Sequence, residues 1–395
     1  MKAITRYLYY FLLITLPYFS FLAAMTRLPF GLFANIFLLI IVAFTFIKGV
    51  NVREWLLFIF LSFFLLVIIV LKKLAFDIGL GEMNGSRYYL IVFLYYYITV
   101  WLIVNGELKL DFLFNNIVIN SLLQALFGIS HYIFFPTFNI YPLFLHGVDL
   151  DDFTIAGGMT RESGLLGNAS VYANFLLLGL FLILNRMLVK KDHGVIKYLY
   201  CFILLFGIFL SRSRFPIFFA LLALGLFCFK SISFKKFALI FIIIFVVMFG
   251  AVKYIFKGYE MKDILFFENR ALKYKTAYSI LKADIRYDII GTPRKILQAS
   301  EDPASVFSDN AYLEIALNCG IPFAIIYYIL FFRIFLLSSN NFKSYFFIFY
   351  MLSLLFMTNC MGWNYWILYI FPVYFILVGE EAVKSGKFLI KPYKE

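Results

Sequence analysis

Charge is scarce in this chain. Only 14% of its 395 residues are charged, against about 25% in an average soluble domain, while 64% are hydrophobic and 22% aromatic. So little polar surface cannot cover a water-facing particle, which excludes a soluble enzyme. Cysteine is sparse as well. Cys201, Cys228, Cys319 and Cys360 lie in or at the ends of apolar runs, and none has C-x-x-C spacing. That excludes a secreted disulfide scaffold and gives no zinc or redox motif. His131, His146 and His193 stand too far apart for a metal-ligand pattern. No internal repeat or low-complexity tract is present. The charge that remains is one-sided, with a formal net value of +13. In so apolar a chain this excess reads as Lys- and Arg-rich cytoplasmic loops, so no nucleic-acid partner is expected.

Long apolar runs are abundant. They fall at roughly 7–25, 30–47, 55–71, 88–105, 116–136, 164–184, 198–211, 215–229, 237–255, 311–337, 344–358 and 363–379, many near the ~20 residues that cross a bilayer as a helix. The fold class expected is all-α: a polytopic integral membrane protein of about twelve transmembrane helices, forming a single transmembrane domain over 1–395. The basic N-terminus and first apolar run resemble a signal peptide. With many spans following, they are read as an uncleaved first span. With the N-terminus inside, eighteen Lys and Arg fall on inner segments, seven on short outer loops and ten in the long outer loop at 253–310. This asymmetry puts both termini in the cytoplasm. The poorest fit is the 72–87 loop, which leaves Lys72, Lys73 and Arg87 outside. Within 253–310, Ile264, Leu265, Leu272, Ile280, Leu281 and Ile285 recur at roughly helical spacing among charges. One or two amphipathic helices on the outer face are expected there.

Several polar residues need an explanation. Thr160-Arg161-Glu162-Ser163-Gly164 leads into Gly167-Asn168-Ala169-Ser170 and a span carrying Asn174. An amide in a span either packs against another helix or lines a polar mouth. Asp149 and Asp151 form a D-x-D spacing of the kind that holds a divalent metal, but two carboxylates two apart in a loop are common, and no metal is expected. Ser211-Arg212-Ser213-Arg214 lies at the outer end of a span. Two arginines in a short outer turn run against the positive-inside bias, and Arg suits bidentate contact with phosphate. On a helix, residues two apart point about 200° apart, so these two would not share a face. Arg270 lies in the long outer loop. Ser308-Asp309-Asn310-Ala311-Tyr312 marks its return to the membrane, with Asp309 suited to N-cap the next helix. Glu314 and Asn318 continue a polar stripe from there. Arg161, Arg212, Arg214, Arg270 and Asp309 all fall on the outer side, which suits chemistry on a lipid-linked anion.

The order Arg-x-x-Gly-x-x-Gly-Asn (Arg161 to Asn168), Ser-Arg-Ser-Arg, an Arg in a long outer loop and Asp-Asn-x-Tyr-Leu-x-x-x-x-x-x-Gly-Ile (Asp309 to Ile321) resembles the O-antigen ligase and polymerase superfamily. The similarity runs from about 157 to 333 and is greatest to the Wzy-type O-antigen polymerase. It implies a multi-pass glycosyltransferase of the bacterial inner membrane. The enzyme would join undecaprenyl-diphosphate-linked repeat units into O-antigen polysaccharide, part of lipopolysaccharide biosynthesis, at a periplasmic active site. It would use no cofactor. Its partners would be the lipid-linked glycan donor and acceptor, the bilayer and a chain-length regulator protein. Carried over, Arg161, Arg212 and Arg270 match basic positions of the family, and Arg214 stands beside them. Asp309 occupies a place where ligases typically carry His. The resemblance makes Asp309, Arg161 and Arg270 catalytic. It gives the diphosphate to Arg212, Arg214, Arg161 and Arg270, and the glycan or acceptor to Asn168, Asn310, Tyr312 and Glu314. Preorganised arginines would stabilise the charge that builds on the departing diphosphate. A base would take the acceptor's proton. The inventory shows no obvious carboxylate nucleophile, so inversion at the anomeric carbon is expected. Two alternatives stay open: a ligase that transfers glycan to lipid A–core, and a polysaccharide flippase or other transporter.

Overall fold

The structure is a computed structural model. It describes residues 2–18, 36–43, 52–77, 94–95, 97–134, 154–155, 159–160, 164–166, 169–191, 193–231, 267–293 and 311–337, with the isolated positions 22, 26 and 296. These residues are helical apart from short connections and one two-residue ladder. The helices are α1 (Lys2–Thr15), α2 (Val52–Phe76), α3 (Leu110–Phe134), α4 (Ala169–Lys190), α5 (Val195–Leu210), α6 (Arg214–Ser231), α7 (Phe267–Ala283), α8 (Ile285–Ile290), α9 (Ala311–Cys319) and α10 (Ile321–Leu337). Residues 36–43 and 97–104 are also helical. The ladder pairs β1 (Thr154–Ile155) with β2 (Met159–Thr160), antiparallel. Among the described residues three helices are long and apolar enough to cross a membrane: Ile59–Phe76 of α2, all of α3 and all of α4. α5 is apolar but shorter. The expected spans at 237–255, 344–358 and 363–379 lie outside the described residues.

The chain divides into two compact units. The first comprises Met1–Asn116, Arg270–Ser344 and Leu354–Glu395; the second comprises Ile117–Asn269 and Tyr345–Ser353.

In the first unit Tyr9 of α1 stacks on Tyr95 with ring centroids 5.3 Å apart, and its hydroxyl pairs with the Thr99 hydroxyl. α2 turns Leu61, Leu65 and Ile68 into the core and leaves Leu56, Phe60, Phe63, Leu66, Val70 and Leu74 exposed. An outward face this apolar suits hydrocarbon rather than water. Phe64 of α2 meets Phe323 of α10 at 6.2 Å. α2 continues five residues past its apolar run, so Lys72 and Lys73 are helical and do not belong to a loop. The short helix α8 packs on this end. Arg286 lies over the Phe76 ring at 5.0 Å and donates to the Ala75 carbonyl at 3.2 Å. Asp284 caps α8 by accepting the Arg286 N–H at 2.9 Å. Its carboxylate also takes the Arg286 Nε–H at 2.8 Å, and this guanidinium contact holds the carboxyl below its usual range.

One expected span needs correction here. The run at 311–337 is not one helix: Gly320, at φ 86, separates α9 from α10. Pro322, in the first turn of α10, has no N–H to give to the preceding helix. Of the apolar stripe expected in the outer loop, Ile264 and Leu265 and the side chain of Leu272 lie outside the described residues. Ala277 and Leu281 are buried on α7, but Ile285 is 73% exposed.

The second unit is built around α4. Nearly every side chain from Ala169 to Met187 is buried, as a helix apolar on all faces requires. Small residues let its neighbours approach closely. A Cβ on Gly179 would lie 2.6 Å from the Ser121 side chain of α3, and one on Gly207 of α5 would lie 2.7 Å from Leu176. Ser121 donates to the Phe175 carbonyl at 3.3 Å.

Candidate functional site

Two of the sequence motifs meet at the N-terminal end of α4. Helix α5 closes at Ser211, whose hydroxyl donates to the Ile208 carbonyl at 2.6 Å and accepts the Ser213 N–H at 3.1 Å. Between these serines Arg212 sits at φ 53. For a residue with a Cβ, the left-handed region costs about 1–2 kcal/mol. Arg212 is therefore not on a helix, and its bearing relative to Arg214 does not follow helical geometry. Its Nη1 is buried and has no hydrogen-bond partner among the described residues. Arg214 is the first residue of α6. A cation there opposes the helix dipole. Ser213 then reaches across with its hydroxyl 3.5 Å from that of Ser170, on the first turn of α4. Neither α4 nor α6 has an acidic residue in its first turn. Two positive helix ends and two arginines thus share this corner with no described carboxylate on either first turn.

Asn174 lies one turn below Ser170 and is 3% exposed. Its Nδ2 donates to the Ser170 carbonyl at 2.8 Å, and its Oδ1 has no partner among the described residues.

Arg161 and Asn168 lie outside the described residues, as do Asp149 and Asp151, but the chain around Arg161 is positioned on both sides. Thr160 ends the β-ladder paired with Thr154. Gly164–Leu166 forms a 3-10 turn beginning at Gly164, φ 54. Gln124 of α3 holds this turn, its Oε1 accepting the Leu165 N–H at 2.9 Å. Gln124 is wholly buried, and the sequence reading missed it. Asn116, Asn120 and Gln124 recur at i, i+4 and i+8 in one apolar run and are all buried; that spacing was the available signal.

In the first unit, Asp309 and Asn310 lie outside the described residues, and Arg270 is described only as part of the α7 backbone. Tyr312, the second residue of α9, has its ring 4.3 Å from that of Tyr328. Glu314 is 5% exposed, and its Oε2 has no partner among the described residues. The far end of α9 is held by a residue the sequence reading placed in a loop. Lys72 is 5% exposed and donates to the carbonyls of Thr292, at 3.3 Å, and Asn318. The Thr292 N–H donates to the Leu317 carbonyl at 2.7 Å. A buried ammonium thus ties α2 to the last turn of α9, where unpaired carbonyls attract a cation.

No protein-family model matches the chain, and no curated protein matches it.

Proposed function

We propose that the chain is a membrane-embedded glycosyltransferase that polymerises undecaprenyl-diphosphate-linked oligosaccharide repeat units into O-antigen polysaccharide. The observation that carries this reading is the corner at Arg212. Arg212 is held in a left-handed turn with a guanidinium nitrogen buried and without a partner among the described residues, a second arginine follows two residues on, and Ser213 between them reaches the first turn of α4. Such an arrangement suits a multiply charged anion, and in a chain this apolar the fitting anion is a lipid diphosphate. The acceptor hydroxyl would attack the anomeric carbon and break its bond to the diphosphate oxygen. Undecaprenyl diphosphate would leave with the electron pair, and the acceptor's proton would pass to a base. Arg161, Arg212 and Arg270 would stabilise the charge on the leaving group, and Asp309 would be the base. Asn168, Asn310, Tyr312 and Glu314 would contact the glycan. In this reading the protein has about twelve spans in the bacterial inner membrane, both termini in the cytoplasm, and 253–310 in the periplasm.

The test is a deletion strain examined by lipopolysaccharide gel. A polymerase mutant retains core bearing one repeat unit. Loss of all surface glycan with polymer left on the lipid carrier would make the chain a ligase. Accumulation of single repeats facing inward would make it a flippase. Topology is read separately with Ser279→Cys, an exposed position on α7. An impermeant thiol reagent should label it in intact spheroplasts, and labelling only after permeabilisation would reverse the orientation.

A further inference from the structure

We propose that the end of the α4–α6 bundle opposite Arg212 binds an anionic phospholipid, with Arg186, Lys190 and Lys197 on its phosphate and the exposed face of α5 along an acyl chain. This binding site lies outside the transferase reading and does not depend on it.

The bundle has two ends. At one, Ser213 meets Ser170 at the start of α4. At the other, residues 191–194 join α4 to α5 and hold the last turn of α4 beside the first turn of α5. α6 ends at the same corner. Its Phe227 packs on His193, with ring centroids 6.2 Å apart, and on Tyr198, at 6.5 Å. Lys230 follows three residues later, in the last turn of α6. Arg186, Lys190, Lys191, Lys197 and Lys230 thus gather at one end of three helices, while the sequence from Ala169 to Ser231 holds a single acid, Asp192.

Helix dipoles account for only part of this. Lys190 and Lys230 lie in last turns, where free carbonyls attract a cation. Lys197 lies in the first turn of α5, at the positive end, and Gly194 supplies no side-chain cap there. Arg186 and Lys190, one turn apart on α4, both repel its ammonium. Crowded cations beside an uncapped helix N-terminus suit a phosphate.

The surface of α5 shows what carries that phosphate. Val195, Leu199, Phe202 and Phe206 are all exposed and recur at i, i+4, i+7 and i+11. One apolar stripe therefore runs down the helix from the basic corner. A phospholipid covers both the cations and the stripe; a soluble phosphate covers only the cations. In the orientation proposed above this is the inner leaflet, where basic clusters between helices take anionic headgroups.

The test is thermal unfolding of the full chain in detergent as lipid is added. Cardiolipin, an anionic lipid with two phosphates, should raise the melting temperature to a plateau, and zwitterionic phosphatidylethanolamine should not. Lys197→Gln should weaken cardiolipin about tenfold, the size of one charged hydrogen bond. Without lipid it should melt at or above the wild-type temperature, because a repelled cation is gone. Lys275→Gln, an exposed position on α7, removes the same charge elsewhere and should leave the affinity unchanged. Equal weakening by both variants would make the binding an effect of net charge and overturn the proposal. A lower melting temperature for lipid-free Lys197→Gln would make Lys197 a structural cation and overturn it too. So would an equal rise with phosphatidylethanolamine, or with inorganic pyrophosphate, which has no chain to lay on α5. None of these outcomes touches the Arg212 corner, and a gel that makes the chain a ligase or a flippase leaves this proposal standing.

Discussion

Two of the helix breaks at which the chain enters the left-handed backbone region are filled with opposite residues. After α9 the residue is Gly320, at φ 86; after α5 it is Arg212, at φ 53. At Gly320 there is no room for anything else, since a Cβ would lie 2.1 Å from the Ile289 carbonyl oxygen. Gly291, at φ 82, is pressed against the same corner, its Cβ position 2.7 Å from the Asn318 carbonyl. The break after α9 is a packing solution, with backbone against backbone and a buried lysine on the Thr292 and Asn318 carbonyls. The break after α5 accepts conformational strain for a side chain whose guanidinium has a buried nitrogen without a partner among the described residues. Asp77 after α2 and Lys191 after α4 share this region, at φ 48 and φ 50, so what distinguishes Arg212 is its buried nitrogen and not its backbone alone.

Substitution separates the two. The largest effect should come from Gly320→Ala, which adds both a backbone clash and an unfavourable φ. A loss of about 3 kcal/mol or more is expected, seen as absence of folded protein after detergent extraction. A well-folded Gly320→Ala protein would show that the corner can open. Next comes Lys72→Met, which keeps the length and removes the ammonium from the Thr292 and Asn318 carbonyls. It should cost about 1–3 kcal/mol in thermal unfolding. Arg212→Gly should do the reverse. Relief of the left-handed strain should raise stability by about 1 kcal/mol while long-chain glycan disappears on a lipopolysaccharide gel. Arg212→Lys should restore little polymer, because an ammonium lacks the planar two-donor face. A destabilised Arg212→Gly protein would move Arg212 into the architectural class.

The smallest effect concerns the exposed pair on α8. Arg286 lowers the Asp284 carboxyl pKa in the folded chain. Its contribution is complete above the ordinary aspartate value of about 3.9 and is lost as pH falls below it, through the folded value. The melting difference between wild type and Asp284→Asn should therefore hold constant from about pH 5 to 7 and shrink below about pH 4. A constant difference down to about pH 2 would show that Asp284 acts only as a helix cap.

Hydrophobic run length revealed the helices well, because burial in lipid or protein demands it: α2, α3, α4, α5 and α6 lie where long apolar stretches predict them. It could not reveal Gly320, since an apolar average is blind to one residue's φ. It misjudged Lys72 for a related reason. A lysine ends a hydrophobic count, yet here its two carbonyl partners lie 220 and 246 residues away, and sequence-local reasoning cannot supply them. Of the candidate site, the Ser211–Arg214 turn was legible as a turn from its composition. Its contact with Ser170 was not, because it depends on how α4 and α6 pack. Gln124 was overlooked because a row of amides inside an apolar run looks like helix packing, and its role appears only with the turn that it holds.

That amide also constrains how the protein is made. Gln124 leaves the ribosome 41 residues ahead of Leu165, whose N–H its side chain accepts. In the interval α3 carries a carboxamide that is wholly buried only in the folded chain, together with Asn120 and Ser121, and the helix that will cover them has not been synthesised. Such a segment is costly to leave alone in hydrocarbon. For helices apolar enough to cross a membrane, insertion of α3 together with α4 is the route that keeps these groups covered. A chain truncated between them would be a substrate for membrane quality control rather than a stable fragment.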